Sequence, residues 1–593
     1  AFWRGPNADG ASADTGLPGV WSPEGQNLIW KAPLGGRSTP VVVRGMVCVI
    51  RLSDPATPEK WREQIVCVDE KTGAVRWEHR DNVFQTDIPH HRVGWASLVA
   101  DPASGDIFAH SISGVVTAFA ADGKVRWRRS LDEEIGRFSG FGGRTVTPIL
   151  DDDLLIVSFL TAGFGPNFIP RHRFYALDKT TGDTVWLSTP GQAPYDTTYS
   201  TPIVRTIGGE RLLIAGNGDG SISAMQARTG KPVWSFPLTK RGINSAVVAD
   251  GSTVFASHSE ENVDGSTAMG RLVALDASKI ADGKPVEIWR ADGFMAGYAS
   301  PALHNGLLYH VDNAANLVAF DTKNGEQLWR EKLGIAQRAS PVVADGKLYV
   351  SDVDGQFHIY KLNGRSAPEK LHLEEFKNPD GSMVQINGSP AIANGRVYFS
   401  TNNELYALGT STGKAGSLKL VESAPERAPA GAKAAWLQVV PAEIALKPGA
   451  ARKFIARAFD EKGRLIGPVE AQWSAQGLKG AISPTGDLKL GPDNVGQGGM
   501  VKAVAAGVEG VAQVRVMPQA PYSDNFDSYD LKGVPAGWPA IRGRYETVER
   551  DGEKVLFKDS KNLRSQKTTV YFGPPDARGY EIAIDALAVE KAR

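Results

Sequence analysis

Only two cysteines, Cys48 and Cys67, occur in 593 residues, and neither sits in a CxxC or CxxCH arrangement. Two cysteines do not make a disulfide framework, and without CxxCH a covalently attached c-type haem is excluded. Both lie in apolar, strand-like runs, "GMVCVI" and "QIVCVD". Two buried free thiols are the expected state there, with a cross-strand disulfide as the alternative. Charge of one sign is also missing in excess, since Lys+Arg and Asp+Glu each number 66. Nucleic acids and anionic membranes are normally met by a basic excess, so neither is an expected partner. No run approaches the roughly 18 apolar residues of a membrane span. No signal peptide is seen, and the sequence opens on Ala1 rather than Met, which raises the expectation of a processed bacterial protein, periplasmic or secreted.

What the sequence does have is repetition. "YALDKTTGDTVW", ending at Trp186, has relatives ending at Trp77, Trp127, Trp234 and Trp329. Each unit opens on Ser/Thr-Pro and a short β-branched run, turns at a glycine, and continues through a second strand. A third strand ending Ala-x-Asp and a Thr-Gly or Asn-Gly turn lead to a fourth strand ending in Trp. Four short antiparallel strands at regular spacing describe a propeller blade. First strands are expected near residues 38, 97, 146, 200, 245, 300, 340 and 389, which predicts eight blades. The last unit stops at "LYALG" without a fourth strand, while "NLIWKAPLG" around Trp30 is an orphan fourth strand. Pairing the two would close the ring and leave no bare edge. The seventh unit lacks its Trp, and Leu373 or Phe376 is the expected substitute.

The pattern Ala-x-Asp-x-x-Thr-Gly-x-x-x-Trp, complete at Ala176–Trp186, resembles the tryptophan-docking motif of the quinoprotein alcohol dehydrogenase-like propellers. That superfamily includes pyrroloquinoline quinone (PQQ) dehydrogenases and the non-catalytic outer-membrane assembly lipoprotein B. "WRGPNADG", "SGFGGRTVTP" and "YDTTYSTPIV" further resemble a group of secreted bacterial PQQ-like repeat proteins. The resemblance implies an all-β fold, an eight-bladed propeller over residues 1–409. Residues 410–434 read as a linker, and residues 435–518 resemble a bacterial Ig-like β-sandwich. Residues 519–593 resemble the start of a jelly-roll or laminin-G-like sandwich, a partial second sandwich that predicts continuation beyond Arg593. Carbohydrate is a candidate ligand for such a domain.

In a four-stranded blade, the loops joining strands two and three and the loops between blades share one face. Here these loops carry the insertions and the opposite face has minimal turns, so binding is expected on the elaborated face. The residues just before each first strand should line the channel mouth: Arg37, Trp95, Arg144, Tyr199, Asn244, Tyr298, Arg338 and Asn387. Arg, Asn and aromatic groups suit a small anionic or planar ligand, or they satisfy one another as a plug. His90, His91, His172, His258, Glu260 and Glu261 in the insertions are of metal-ligand type, but their spacing does not require convergence. A PQQ dehydrogenase would need a vicinal cysteine pair, a Ca²⁺ pocket and a catalytic Asp; Cys48 and Cys67 are not vicinal and no matching Asp is found. No cofactor is therefore expected. The reading is a non-catalytic extracytoplasmic binding or scaffold protein with protein partners in the cell envelope. A periplasmic PQQ- and Ca²⁺-dependent dehydrogenase of alcohols or sugars is the alternative.

Overall fold

The computed structural model describes residues 3–83, 90–135, 145–161, 171–421, 423–539, 545–558 and 570–587. Among these residues, apart from one short helix, Leu131–Ile135, and two 3₁₀ turns, the regular structure is β. Residues 28–409 form eight four-stranded antiparallel sheets in sequence order, the blades of a propeller. The first strands begin at Val41, Val99, Ile149, Ile203, Val248, Ala302, Val342 and Ala391. Each begins two or three residues after its Ser or Thr, because the proline that usually follows has no N–H to give a ladder. Inner strands are packed on both faces by neighbouring blades and read as continuous apolar runs; Val115–Phe119 and Leu307–Val311 are buried throughout. Fourth strands lie at the rim and alternate, as Val125–Ser130 does.

The ring closes as its sequence demands. Leu28–Ala32 pairs antiparallel with Leu405–Gly409, placing Trp30 opposite Ala407. In six of the eight blades the tryptophan faces the motif alanine, as Trp186 does Ala176 and Trp289 does Ala274, whereas Trp77 of blade one faces Cys67. The indole ring, however, is shaped to the next blade. The Trp186 indole donates to the Ala227 carbonyl at 3.1 Å. A Cβ added to Gly230 would come within 2.5 Å of that ring. Trp30, Trp77, Trp127 and Trp289 repeat both contacts on Gly73, Gly123, Gly182 and Gly325. The Thr-Gly glycine therefore has two duties, a positive φ (77° at Gly182) and a flat seat for the preceding blade's indole.

Blade seven departs from expectation. His372, opposite Ile359, holds the position where other blades carry Trp, and Leu373 is exposed. Phe376 does join the joint between blades seven and eight, but the principal filler is Trp21, from the segment before the ring. Its indole is 1% exposed and lies 5.7 to 6.1 Å from the rings of Phe357, Phe376, Phe399, Tyr406 and His372.

Cys48 and Cys67 stand directly opposite on neighbouring strands of blade one and are joined as a disulfide. This corrects the free-thiol reading: one pattern of alternating burial also produces facing positions in an antiparallel pair. The crosslink spans 19 residues. Its removal by Cys48→Ser with Cys67→Ser is expected to cost about 3 kcal/mol through loop entropy. Urea unfolding with and without reductant checks this; an unshifted midpoint would contradict it.

Residues 410–434 are not a free tether. Lys414 bridges Thr15, the Gly416 amide donates to Asp14 at 2.9 Å, and the Val421 amide donates to Asn7 at 3.0 Å. A β-sandwich follows between Trp436 and Val516 around Leu437, Phe454, Leu488, Val501 and Val514. It packs on blades three and four: Val440 joins the cluster of Trp186, and Ala442 donates to the Thr184 carbonyl at 2.6 Å. Beyond it, the regular strands among the described residues are the hairpin Glu546–Arg550 with Glu553–Phe557. The alternating segment 580–587 carries no strand, and Tyr580, Ile582, Ile584 and Leu587 are exposed.

Candidate functional site

Each blade brings the end of an inter-blade loop to the ring axis, so residues scattered over 350 positions of sequence meet there. Arg37, Trp95, Tyr199, Asn244, Tyr298, Arg338 and Asn387 line one central cavity of ≈ 70 Å³. Arg144, the eighth expected member, lies outside the described residues. The Trp95 and Tyr199 rings lie 5.2 Å apart, tilted by 32°, and the Arg338 guanidinium lies 5.5 Å from the Trp95 ring centroid. Arg338 also donates to Asn387 Oδ1 at 2.9 Å, and the Tyr199 amide donates to Asn244 Oδ1 at 3.1 Å. These bonds are part of the mutual satisfaction anticipated for a plug. They leave Arg37 incompletely used: Nη2 reaches Gln385 at 3.4 Å, while buried Nη1 has no acceptor among the described residues. Burial, and then the like charge of Arg338, draw the Arg37 pKa down to about 10, so it stays cationic at neutral pH. No Asp or Glu is among the described lining residues.

Beneath the mouth runs a belt of hydroxyls that sequence reading did not identify. The Ser389 amide donates to Thr39 Oγ1 (3.0 Å), Thr39 to Ser97 (3.0 Å) and Ser97 to Thr147 (3.0 Å). Across the ring, Ala246 donates to Ser300 (2.9 Å), Ser300 to Ser340 (2.9 Å) and Ser340 to Ser389 (2.8 Å). The recurrent Ser/Thr before the first strand was the signal. These hydroxyls tie blade to blade and are committed acceptors rather than nucleophiles.

The floor is the N-terminal "WRGPNADG" segment, which fills the channel from the plain face. Trp3 lines the cavity from below. The buried Arg4 guanidinium donates to the carbonyls of Pro301 and Pro341. Burial lowers its pKa to about 10 against the opposing pull of Asp9. Leu303 donates to the Asp9 carbonyl at 2.8 Å and Val343 to that of Gly10 at 2.9 Å, fixing the segment along the first strands of blades six and seven. Behind the loop of Trp95, Glu63 is buried and accepts from Gly94 (2.9 Å), Ser111 (2.5 Å) and Ile112 (2.8 Å). Burial outweighs those bonds and pushes its carboxyl up to about 7.

The metal-type residues stay apart. His172, in blade three, accepts from the Gly218 amide at 3.4 Å and lies 4.6 Å from the Phe174 ring at a 40° tilt. His258, in blade five, meets Asn262 Oδ1 at 3.0 Å and accepts from the Glu260 amide at 3.1 Å. Glu261 pairs with Arg241 at 3.4 Å. His91 lies in a 3₁₀ turn, and the His90 side chain lies outside what is described. Among the described residues no three His, Cys, Asp or Glu groups come together as a metal site.

These residues do not fit a quinone with calcium. Among the described residues the cavity has no carboxylate to fix a divalent cation at the quinone edge, and Asn244 is spent on Tyr199. Glu260 and Glu261, the best imitation of a calcium pocket, do not line it. The disulfide lies between strands of blade one rather than as a roof over the mouth.

A closed ring of four-stranded sheets joined by repeated Trp–Gly seats defines a propeller of PQQ-type repeats. The family described as "Outer membrane protein assembly factor BamB" matches residues 14–159, 61–279 and 218–435, and the chain belongs to it. The last match ends where the sandwich begins. A curated relative of that name from Alkalilimnicola ehrlichii is 24% identical over 32% of this chain and 48% of its own. Another from Xanthomonas campestris pv. campestris is 23% identical over 56% and 72%. The protein thus spans about half the length of the first and more of the second. Among solved structures, BamB from Moraxella catarrhalis is 16% identical at a TM-score of 0.44, covering 65% of this chain and 99% of its own. A quinohemoprotein alcohol dehydrogenase from Comamonas testosteroni is 14% identical at 0.46, covering 68% and 79%.

Proposed function

We propose that the protein is an extracytoplasmic, non-catalytic scaffold that recognises a protein of the cell envelope through its loop-elaborated face. Membership of an outer-membrane assembly factor family supports the setting. A structural disulfide also suits an oxidising compartment. The observation that carries the recognition role is the set of apolar side chains exposed on the loops between blades. Tyr195, Met295, Tyr298, Ile335 and Met383 sit on four different inter-blade loops, and all are exposed, Ile335 by 78%. Exposed apolar side chains clustered on binding loops mark interaction surfaces more often than catalytic ones. On this reading the β-sandwich, which resembles Ig-like domains, is a spacer held against the ring, and no cofactor is required.

Photo-crosslinkers at Tyr195 and Ile335 are expected to trap one envelope protein, whereas one at rim residue Ile288 is not. Crosslinking from the rim alone would reject the reading. Calorimetry with PQQ and Ca²⁺ is expected to show no stoichiometric binding. Saturable binding lost in Asn244→Ala would establish the oxidoreductase instead.

A further inference from the structure

We propose that the channel mouth is a receptor for a single carboxylate presented by an apolar polypeptide segment of the partner, borne either by an Asp or Glu residue or by a free C-terminus. This rests on the protein-recognition reading above and names the chemistry of its partner. Among the described residues, the guanidiniums of Arg37 and Arg338 face one cavity that no acidic side chain lines. Arg37 Nη1 is buried without an acceptor among the described residues, so it carries a desolvation cost that an anion would offset. Arginine forks are suited to the paired oxygens of a carboxylate.

Size selects the kind of ligand. A cavity of ≈ 70 Å³ is far below the roughly 300–1,000 Å³ of pockets that enclose a small molecule. It has room for one acidic group with a few waters rather than for a whole ligand. The remainder of the ligand must therefore lie outside, across the face. There it meets the exposed Tyr195, Met295 and Ile335, which would cover apolar flanking residues. The described carboxylates of the neighbouring loops, Asp354 and Asp219 among them, are turned to their own loops and do not line the cavity. Asp354 accepts from the Ile335 and Ala336 amides, and Asp219 accepts from those of Gln192 and Ser221.

Calorimetry with four blocked peptides tests the proposal. One pair is acetyl-Leu-Leu-Glu-Leu-amide against its Gln counterpart; the other is acetyl-Leu-Leu-Leu with a free carboxylate against its amide. At least one acidic peptide is expected to bind about tenfold more tightly than its neutral twin, the value of a charged hydrogen-bonded pair. The pair that shows the preference identifies the source of the carboxylate. Arg338→Gln should abolish the preference and Arg338→Lys should keep part of it, with far-UV dichroism confirming the fold of each. Arg37→Gln should act likewise; if it does not fold, Arg338→Gln decides alone. Equal binding of acidic and neutral peptides, no binding of either acidic peptide, or a preference that survives Arg338→Gln would overturn the proposal. Crosslinking from Tyr195 and Ile335 that persists unchanged in Arg338→Gln would leave the recognition surface standing and remove only the carboxylate.

Discussion

Trp186→Ala is expected to lower the unfolding free energy by about 3–5 kcal/mol, as truncation of a fully packed indole does. The ring is 3% exposed, and it serves three surfaces at once. One face rests on Gly230, where there is no Cβ to hold it off. Its N–H is satisfied by Ala227, and its outer side packs with Val440 of the sandwich. Removing it opens a cavity, orphans a carbonyl and loosens the docked domain together. Urea unfolding followed by tryptophan fluorescence should show an earlier midpoint, while peptide binding at the distant channel mouth stays unchanged. Trp329 provides the comparison. It is 8% exposed, and its indole N–H has no acceptor among the described residues. Trp329→Ala should therefore cost less, by about the 1 kcal/mol of one hydrogen bond. Equal losses would show that the inter-blade hydrogen bond contributes nothing. Loss of peptide binding with an unchanged midpoint in Trp186→Ala would mean the residue belongs to a site rather than to the frame.

The difference between these two tryptophans marks where the sequence was legible and where it was not. Trp186 precedes a repeat with a Thr-Gly turn of its own, so the seat on Gly230 is written into the next unit. Trp329 precedes the seventh unit, whose Asn363–Gly364 turn forms no seat, since a Cβ on Gly364 would meet nothing within 4 Å. Periodicity therefore reveals local strand order, ring closure at Trp30 and even which residues reach the axis, because each of these follows from position within a repeat. It does not reveal contacts made by residues outside the repeat. Trp21 fills the joint between blades seven and eight, and Trp3 with Arg4 plugs the channel, though nothing in their spacing announces it. The pairing of Cys48 with Cys67 was accessible in principle. The two positions fall at matching places on neighbouring strands of one blade, but alternation alone does not distinguish facing thiols from bonded ones. The metal-type histidines show the converse. Residue type in a loop suggested ligands, whereas the backbone amides of Gly218 and Glu260 had already claimed the imidazoles.

Acid should unfold the protein earlier than its carboxylates would require, because buried neutral histidines must then charge. Burial lowers the pKa values of His110, His172 and His258 to about 4 and that of His310 to about 3. In the unfolded state a histidine titrates near 6.5. Above that pH the residues are neutral in both states and contribute no pH dependence. Below it the unfolded state takes up protons that the folded state refuses, so stability falls progressively from about pH 6.5 towards 4. Each fully buried ring contributes on the order of 3 kcal/mol over that window. Glu63 works in the opposite direction. Its folded pKa, raised to about 7, means that the folded state holds a proton the unfolded state has released above about 4.5, which favours folding as pH falls. Burial also raises the pKa values of Asp9, Asp151, Glu210 and Glu374. It lowers those of His304 and His372, and the Arg76 hydrogen bond lowers that of Asp69. With the four deeply buried imidazoles the balance is a net loss on acidification. Calorimetric melting at pH 7 and at pH 4.5 is expected to differ by about 10 °C or more, the lower value at the lower pH. His310 is the most informative variant. The Val311 amide donates to its Nδ1 at 2.9 Å, so Nε2 carries the proton and meets Ser257 Oγ at 2.8 Å. His310→Gln should flatten the acid slope while lowering stability at pH 7, since a glutamine amide takes up no proton in either state. A melting temperature that stays level or rises between pH 6.5 and 4.5 would mean that these rings accept protons within the folded ring, and that Glu63 governs its acid response.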